Sequence, residues 1–259
     1  MEIRAEKLEI AYGDYLAVRD MDVRVEKGKI TTIIGPNGSG KSTVLKALTR
    51  LLSYRRGAIY LDARSLRDFS AKELARHIGV LPQFHSAPPD FQVKDLVSYG
   101  RMPYQRWYER CNDEDQEIID WAMKATGVWN LRDKSINECS GGESQRVWIA
   151  TVLTQQPEIL FLDEPTTYLD IAHQQEMMRL VKKLNRESGV GVVMVLHGLS
   201  HAMEVSDWVV VIKGGQKYDE GRPEDVITAR MMREVYDVDC DIITVPGREK
   251  PLIAYREIS

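Results

Sequence analysis

The chain has 259 residues, of which 43% are hydrophobic and 29% are charged, with 35 Lys and Arg against 39 Asp and Glu. This balance predicts a folded globular protein of one domain or two small ones and excludes disordered and fibrous classes. The net charge of −4 argues against a protein that coats nucleic acid, so no nucleic-acid partner is expected. No apolar run approaches the roughly 20 residues that a membrane-spanning helix needs.

The cysteines and the first residues predict the compartment. Cys111, Cys139 and Cys240 are odd in number and far apart, and they form no CxxC pair. This spacing excludes a disulfide framework and a cysteine-built zinc site, as expected in a reducing cytosol. Residues 1–6 lack the basic and then apolar pattern of a signal peptide. The sequence therefore predicts a cytosolic protein whose membrane association would come from a partner.

Two kinds of apolar pattern predict strands. Through the first thirty residues apolar and polar side chains alternate, which is typical of half-buried antiparallel strands. Four later runs are apolar at nearly every position, as in a mostly parallel sheet covered by helices. These runs are residues 30–34, 78–81, 159–162 and 192–196. Residues 208–218, with two glycines between two strand-like segments, predict a hairpin.

Helical spacing lies between the apolar runs. A first stripe is formed by Val44, Leu45, Leu48 and Leu51 or Leu52. A second stripe follows Asp170 as a helix cap and ends near Gly189; its members are Met177, Leu180, Val181 and Leu184. These stripes predict amphipathic helices that cover the sheet.

A helical insertion is expected at residues 90–157, where helical spacing continues without a strand-like run. One apolar face is predicted at Ile118, Trp121, Ala122 and Ala125, after an acidic opening at residues 112–115. The predicted organisation is an α/β core at residues 2–89 and 158–221, a helical subdomain at 90–157 and a C-terminal extension at 222–259.

A phosphate-binding loop follows the first apolar run. Residues 35–43 fit the pattern GxxxxGK[ST] between a predicted strand and a predicted helix. Glycines let successive backbone N–H groups point at phosphate oxygens, and the helix N-terminus adds partial positive charge. In this pattern Lys41 neutralises the β and γ phosphates of ATP and the Ser42 hydroxyl is a ligand of Mg²⁺. The candidate loop residues are Gly35, Pro36, Asn37, Gly38, Ser39, Gly40, Lys41, Ser42 and Thr43.

Asp163 and Glu164 end a buried strand, where two carboxylates are costly unless a cation or substrate is present. Asp163 is the candidate holder of Mg²⁺, and Glu164 is the candidate group that orients and polarises the attacking water. The alternative is a plain strand ending before Pro165. His197 ends another predicted parallel strand, on the edge where such sheets bind ligands. It is a candidate contact of the γ-phosphate, against the alternative of a structural histidine.

Ser140, Gly141, Gly142 and Glu143 precede a predicted helix that runs to about Gln156. A serine and two glycines at a helix start form a second arrangement able to bind phosphate. The alternative is an ordinary helix cap. Two phosphate-type sites in one chain raise the possibility that one copy of the chain completes the site of another.

Taken in order, these motifs resemble the nucleotide-binding subunit of an ATP-binding-cassette (ABC) transporter. The resemblance runs from about residue 2 to 221 and rests on the loop at 35–43, Gln83, 140–145, 163–165, Asp170 and His197. Residues 100–104, 145–150 and 169–174, with the tail around 234–238, resemble importers of iron–siderophore, haem or cobalamin complexes. The fold implied is the P-loop NTPase fold of ABC ATPases, an α/β fold with an N-terminal antiparallel β subdomain.

The resemblance also assigns roles. Tyr12 corresponds to the aromatic residue that stacks on adenine, although Tyr15 or simple strand packing also explains this segment. Gln83 corresponds to the residue that joins the Mg²⁺ and water site to the helical insertion. Residues 140–143 correspond to the signature segment that binds the γ-phosphate held by the opposite subunit. Asp170 corresponds to the loop that crosses the dimer interface.

The partners implied by the resemblance are a second copy of the chain, in a head-to-tail homodimer that sandwiches ATP, and two transmembrane permease subunits. An extracytoplasmic substrate-binding protein would act indirectly, and the chain would lie peripherally on the cytoplasmic face of the cell membrane. Permease docking is expected near Gln83 and the aromatic residues Tyr99, Tyr104, Trp107 and Tyr108.

Other functions remain open beside the leading one, an importer ATPase for an iron complex, with iron–siderophore preferred. They are a soluble cassette ATPase in cluster assembly, and an importer of haem, cobalamin or another solute. A DNA-repair or ribosome-associated cassette fits poorly, because the sequence has no heptad insertion and no basic excess. Cys139 in place of the usual Leu, and Gly198 in place of a common Asp, depart from the family pattern.

Overall fold

The computed structural model describes residues 1–88, 90–106 and 111–256. Its strands are β1 (Glu2–Tyr12), β2 (Tyr15–Glu26), β3 (Ile30–Ile34), β4 (Arg56–Leu61), β5 (Arg64–Ser65), β6 (Ile78–Leu81), β7 (Ile159–Asp163), β8 (Gly191–Val195), β9 (Trp208–Lys213), β10 (Gln216–Gly221), β11 (Cys240–Ile243) and β12 (Leu252–Tyr255). Its helices are α1 (Lys41–Leu48), α2 (Ala71–His77), α3 (Val93–Ser98), α4 (Asp113–Ala125), α5 (Gly141–Leu153), α6 (Ile171–Ser188), α7 (Leu199–Val205), α8 (Pro223–Val226) and α9 (Ala229–Tyr236).

Two compact units divide the chain. The first comprises Met1–Leu66 and Val193–Ser259, and the second comprises Arg67–Val192. The boundaries predicted from the sequence for the helical subdomain and the C-terminal extension stay predictions.

The first unit contains an antiparallel sheet with strand order β2-β1-β4-β5. The alternation in the first thirty residues places one face of β1 and β2 in the core. Ile3 pairs with Val25 and Leu8 with Met21, and all four side chains are fully buried. Burying such a side chain stabilises the fold by about 1.5–3 kcal/mol. The predicted antiparallel strands are confirmed.

Parallel pairing in the first unit joins β3 to β9, with Ile33 opposite Val210. The amide of Leu196, just after β8, donates to the carbonyl of Ile33. The hairpin predicted at residues 208–218 is formed by β9 and β10, which turn at Gly214 and Gly215. The five residues of β3 are all buried, as predicted for a strand covered on both faces.

The second unit pairs β6 and β7 in parallel and contains the predicted helices of residues 90–157. An apolar cluster joins α3, α4 and α5; its buried members include Leu96, Val97, Ile119, Met123 and Val147. The second predicted stripe is confirmed in α6, which begins after the cap Asp170 and ends at Gly189 in the left-handed conformation.

The predicted apolar face of α4 is wrong by about one residue. Ile119, Ala122 and Met123 are buried, whereas Trp121 is 40% exposed. Asp115 lies on the inward face of this helix, because its buried carboxylate pairs with the guanidinium of Arg101 at 2.7 Å. A face containing Asp115 continues at residues 119, 122 and 123 by helical spacing.

Helix ends differ from the predicted ones in two further places. Helix α1 ends at Leu48, and Leu51 is 60% exposed, so the first stripe is shorter than predicted. Helix α5 ends at Leu153 and not near Gln156. In both cases a threonine follows at the C-cap, and Thr49 and Thr154 each donate a side-chain hydrogen bond back to a helix carbonyl.

Across residues 1–88, 90–106 and 111–256, no helix combines the length and the apolar character required to cross a membrane. The predicted fold class is confirmed: a mostly parallel core with an antiparallel N-terminal sheet and a helical insertion.

Candidate functional site

The phosphate-binding loop joins β3 to α1 in the first unit, as predicted. Its first residue, Gly35, has φ +152°, and a Cβ atom there would lie 2.1 Å from the carbonyl oxygen of Ile212. Only glycine fits this approach of the loop to β9. The first position of the motif therefore has no room for a side chain.

Positive charge is concentrated inside the loop. The ammonium of Lys41, whose residue is 5% exposed, donates to the carbonyls of Gly35 at 3.0 Å and Pro36 at 2.9 Å. Ser39 is also buried, and its hydroxyl has no hydrogen-bond partner among the described residues. Helix α1 begins here without a side-chain cap and without an acidic residue in its first turn. A buried ammonium, a buried hydroxyl and a helix N-terminus together suit a phosphate group.

Tyr12 approaches the same loop. Its hydroxyl lies 3.4 Å from Oγ1 of Thr43, and 49% of the residue is exposed. Tyr15 pairs with Tyr12 across the hairpin and is 66% exposed. The contact with Thr43 favours Tyr12 over Tyr15 as the aromatic residue beside a bound nucleotide, which stays a prediction.

His197 follows β8 and is exposed. The next residue, Gly198, precedes α7, and a Cβ atom on it would lie 3.0 Å from Nδ1 of His201. A larger residue at position 198 would therefore require the ring of His201 to shift. The glycine that departs from the family pattern at position 198 therefore leaves room for the His201 ring.

Glu164 is held by two side chains in the second unit. Nε2 of Gln83 donates to its Oε2 at 2.7 Å, and Oγ1 of Thr167 donates to the same oxygen at 3.0 Å. Glu164 adopts φ +54°, which turns the chain sharply after the strand, while Asp163 ends β7 as a buried residue. The sequence pointed to Gln83 but not to Thr167, because the spacing Glu-x-x-Thr is too common to single out a residue.

Ser140 caps α5 in a reciprocal arrangement. Its hydroxyl accepts from the amide of Glu143 at 3.3 Å, and its own amide donates to the Glu143 carboxylate at 2.8 Å. The hydrogen bond from the Ser140 amide holds the pKa of Glu143 below its ordinary value. The capping alternative raised from the sequence is thus realised, and the phosphate role of this segment stays a prediction.

Asp170 caps the next helix. Its Oδ1 accepts from the amide of His173 at 2.9 Å and lies 2.8 Å from Nδ1 of the same residue. The bond from the His173 amide keeps the pKa of Asp170 below its ordinary value. Asp170 therefore carries a charge at neutral pH at the start of α6, where the helix dipole favours it.

A cleft of about 580 Å³ brings several of these residues together within the second unit. Gln83 and Glu164 line one part of it, and residues of the first turn of α5 line another. Its remaining lining includes Phe84 and Tyr168, which are 73% and 85% exposed. Of the aromatic residues expected to dock a permease, Tyr99 is 47% exposed, Tyr104 donates to the carbonyl of Gln155, and Trp107 and Tyr108 lie outside the described residues.

Comparison with known families decides the assignment. Residues 18–167 match the family described as ABC transporter. The chain belongs to this family. The ABC protein is 44% identical to the iron(3+)-hydroxamate import ATP-binding protein FhuC of Bacillus subtilis, over 96% of this chain and 93% of that protein. It is 40% identical to the ferric enterobactin transport ATP-binding protein FepC of Escherichia coli, over 97% and 93%.

A solved structure supports the same assignment. The dimeric structure of MJ0796, a bacterial ABC transporter cassette, is 27% identical, covers 85% of this chain and 98% of that one, and has a TM-score of 0.73. The chain is thus an ATP-binding ATPase cassette.

Cys139, which departs from the family pattern, is half-buried. Burial raises the pKa of its thiol, so it is accommodated as a neutral side chain.

Proposed function

We propose that this cassette is the ATP-hydrolysing subunit of an importer of an iron complex, in particular an iron–siderophore. Support comes from the relatives FhuC and FepC, whose names state import of iron(3+)-hydroxamate and transport of ferric enterobactin. Both cover more than nine-tenths of this chain, so the likeness includes the C-terminal residues beyond the family match. Haem and cobalamin, the other cargoes open from the sequence, find no support in these names.

ATP is held by the loop at residues 35–43, with Lys41 on the β and γ phosphates and Tyr12 on the adenine. Ser42 and Asp163 are the residues that would hold Mg²⁺, and hydroxyl and carboxylate oxygens are the ligands this ion prefers. Bound Mg²⁺ neutralises charge on the transferred phosphoryl group. Glu164 orients the attacking water and His197 contacts the γ-phosphate.

The working form is a head-to-tail pair of chains. Ser140, Gly141, Gly142 and Glu143 of one copy face the nucleotide held by the loop of the other. The dimeric MJ0796 cassette supports pairing of this kind. Since neither copy completes a site, ATP favours the closed pair and hydrolysis releases it. Asp170 lies at the junction between the copies.

Two permease subunits receive this movement, with the cassette bound peripherally at the cytoplasmic face of the cell membrane. The exposed Phe84 and Tyr99 are suited to contact permease helices, since aromatic residues are enriched in such interfaces. A substrate-binding protein outside the cell would deliver the iron complex without touching this chain.

The observation that carries hydrolysis is the Glu164 carboxylate held between Gln83 and Thr167. Glu164→Gln is expected to bind ATP, to lower kcat at least about 100-fold as the loss of a general base does, and to accumulate as an ATP-bound dimer. Size-exclusion chromatography with light scattering and a phosphate-release assay measure both effects.

Glu187→Gln is the matched control, because this glutamate of α6 is exposed and its ion pair with Lys183 is long, at 3.9 Å. It is expected to behave as the wild type. Near-normal turnover of Glu164→Gln would remove Glu164 from the proposed role. For the cargo, the assembled transporter is expected to take up radiolabelled ferric hydroxamate, and this uptake is expected to stop with Glu164→Gln. Uptake by the variant equal to that of the wild type would contradict the importer assignment.

A further inference from the structure

His173 occupies the first turn of α6, in the segment 169–174 that resembles the iron-complex subgroup. Its backbone amide donates to Oδ1 of Asp170 at 2.9 Å, which is an ordinary helix cap. Its ring is held as well, because Nδ1 lies 2.8 Å from the same carboxylate oxygen. The cap needs only the backbone, so this second contact belongs to the imidazole alone and fixes the direction of the ring.

The ring so fixed lies directly against the signature segment. A Cβ atom on Gly142 would come within 2.4 Å of Cδ2 and 3.0 Å of Cγ of His173. Real Cβ atoms do not approach so closely, so the backbone at Gly142 rests on the imidazole with no room for a side chain. Gly142 is buried at this contact.

Two further approaches lie near the ring contact. The Leu169 side chain, just before α6, lies 3.9 Å from the place that a Cβ on Gly141 would take. One turn along α5, Arg146 forms an ion pair with Glu176 of α6 at 3.1 Å. Of the two side chains beside these glycines, the His173 ring is the closer, at 2.4 Å from the added Cβ against 3.9 Å for Leu169.

We infer that His173 is a positioning residue: its imidazole, oriented by Asp170, sets the place of Gly142 and thereby of the segment that acts on the other copy's nucleotide. This inference rests on the proposed function, in which residues 140–142 reach the ATP of a second chain. It links the residue at the junction between copies to the signature segment of its own chain. His173 does not touch ATP in this arrangement.

The kinetic consequence is specific. A displacement of about 1 Å at a group that positions a substrate costs on the order of 100-fold in rate. His173→Ala is therefore expected to lower kcat about 10- to 100-fold. The affinity of the isolated chain for ATP stays within about twofold, because the loop at residues 35–43 is unchanged. Arg179→Ala, at an exposed position of the same helix, is the control and keeps wild-type kcat.

Two conservative variants separate the ring from the hydrogen bond. His173→Asn offers Asp170 a donor without a ring, and His173→Phe offers Gly142 a ring without a donor. Both are expected to lose at least about fivefold in kcat, since the contact needs a ring with a fixed direction. Thermal unfolding of each variant verifies that it is folded. Two results for folded His173→Ala would overturn the inference: a kcat within about twofold of wild type, or a loss of ATP affinity as large as the loss of kcat.

Mixing of variants tests whether His173 acts on the partner's nucleotide. Lys41→Ala has a damaged loop and an intact signature segment, and His173→Ala has the reverse. A 1:1 mixture contains mixed pairs with one intact composite site, so about one quarter of wild-type activity is expected to return. No return of activity overturns the inference, because His173 would then be acting within its own chain.

The same mixing with Ser140→Arg in place of His173→Ala tests the proposed function by itself. Ser140→Arg obstructs the signature segment directly, so its mixture with Lys41→Ala regains activity if sites are shared between copies. If this mixture stays inactive, the shared-site part of the proposed function fails. If it regains activity while the His173→Ala mixture does not, only the inference about His173 fails.

Discussion

Gly35→Ala is expected to destabilise the fold and to weaken ATP binding, because the added methyl group would clash with the strand beside the loop. The added Cβ would lie 2.1 Å from the carbonyl oxygen of Ile212 and 2.7 Å from Oγ of Ser39. Ile212 cannot move aside easily, because its neighbour Val211 pairs with Ile34 in the parallel sheet and Ile212 itself pairs with Lys217. The loop must therefore shift away from the sheet and disturb the carbonyl groups that hold Lys41.

The magnitude has two parts. Overpacking of a filled site costs about 1–3 kcal/mol. A non-glycine residue held at an unfavourable positive φ costs about 1–3 kcal/mol more. Together they lower the free energy of unfolding by about 2–6 kcal/mol, a large part of the roughly 5–15 kcal/mol of a natural domain. Gly38→Ala, with φ +74° and no atom within 4 Å of the added Cβ, carries only the backbone part.

Urea unfolding followed by tryptophan fluorescence measures the two variants side by side, and nucleotide titration measures their affinity for ATP. Gly35→Ala is expected to lose at least about 1 kcal/mol more than Gly38→Ala, the lower end of the overpacking cost. Equal losses in the two variants would show that the contact with Ile212 has no energetic weight, and the account of the loop would be wrong.

Two further predictions concern a binding residue and a buried ion pair. Tyr12→Ala is expected to weaken ATP binding about fivefold, the equivalent of about 1 kcal/mol of aromatic stacking, whereas Tyr15→Ala leaves ATP binding unchanged. Titration with a fluorescent nucleotide measures both variants. A larger effect of Tyr15→Ala would reverse the assignment. Burial acts to raise the pKa of Asp115, but hydrogen bonds from Arg101, Gln105 and the Asn112 amide outweigh it and hold the pKa below its ordinary value of 3.8. Its stabilising contribution is therefore fully present above pH 3.8 and is lost as the pH falls through the folded pKa. Asp115→Asn is expected to cost about 3–5 kcal/mol at neutral pH and to flatten the acid limb of a urea-unfolding series, and an unchanged acid limb would contradict this.

Local patterns were sufficient for most of the fold. The alternation around Ile3 and Leu8 predicts a half-buried strand because side chains of a strand point to opposite faces. The apolar runs predict buried parallel strands for a similar reason. The face of α4 could not be found in this way, because Asp115 counts as polar in any periodicity. Its burial depends on Arg101, which lies between α3 and α4, so the error follows from a tertiary contact.

The site shows the same division between motif and contact. The sequence names Gln83 and Glu164 as candidates, but their separation of 81 positions hides the hydrogen bond between them. Thr167 was missed because a threonine three residues after a glutamate is common and carries no signal alone. The contact of His173 with Gly142 was also invisible, since it depends on how α6 packs against the start of α5.

The hydrogen bonds of the second unit explain why a single copy is expected to hydrolyse ATP slowly. Oε2 of Glu164 already accepts from Gln83 and Thr167, so a water that approaches this oxygen has to displace one of them. The Ser140 hydroxyl likewise accepts from the Glu143 amide as the cap of α5, and Oδ1 of Asp170 contacts the His173 ring. Glu164, Ser140 and Asp170 thus each have a partner within their own chain. Under the proposed function, binding energy from a second copy and its nucleotide exchanges these partners, so the state of pairing controls the chemistry.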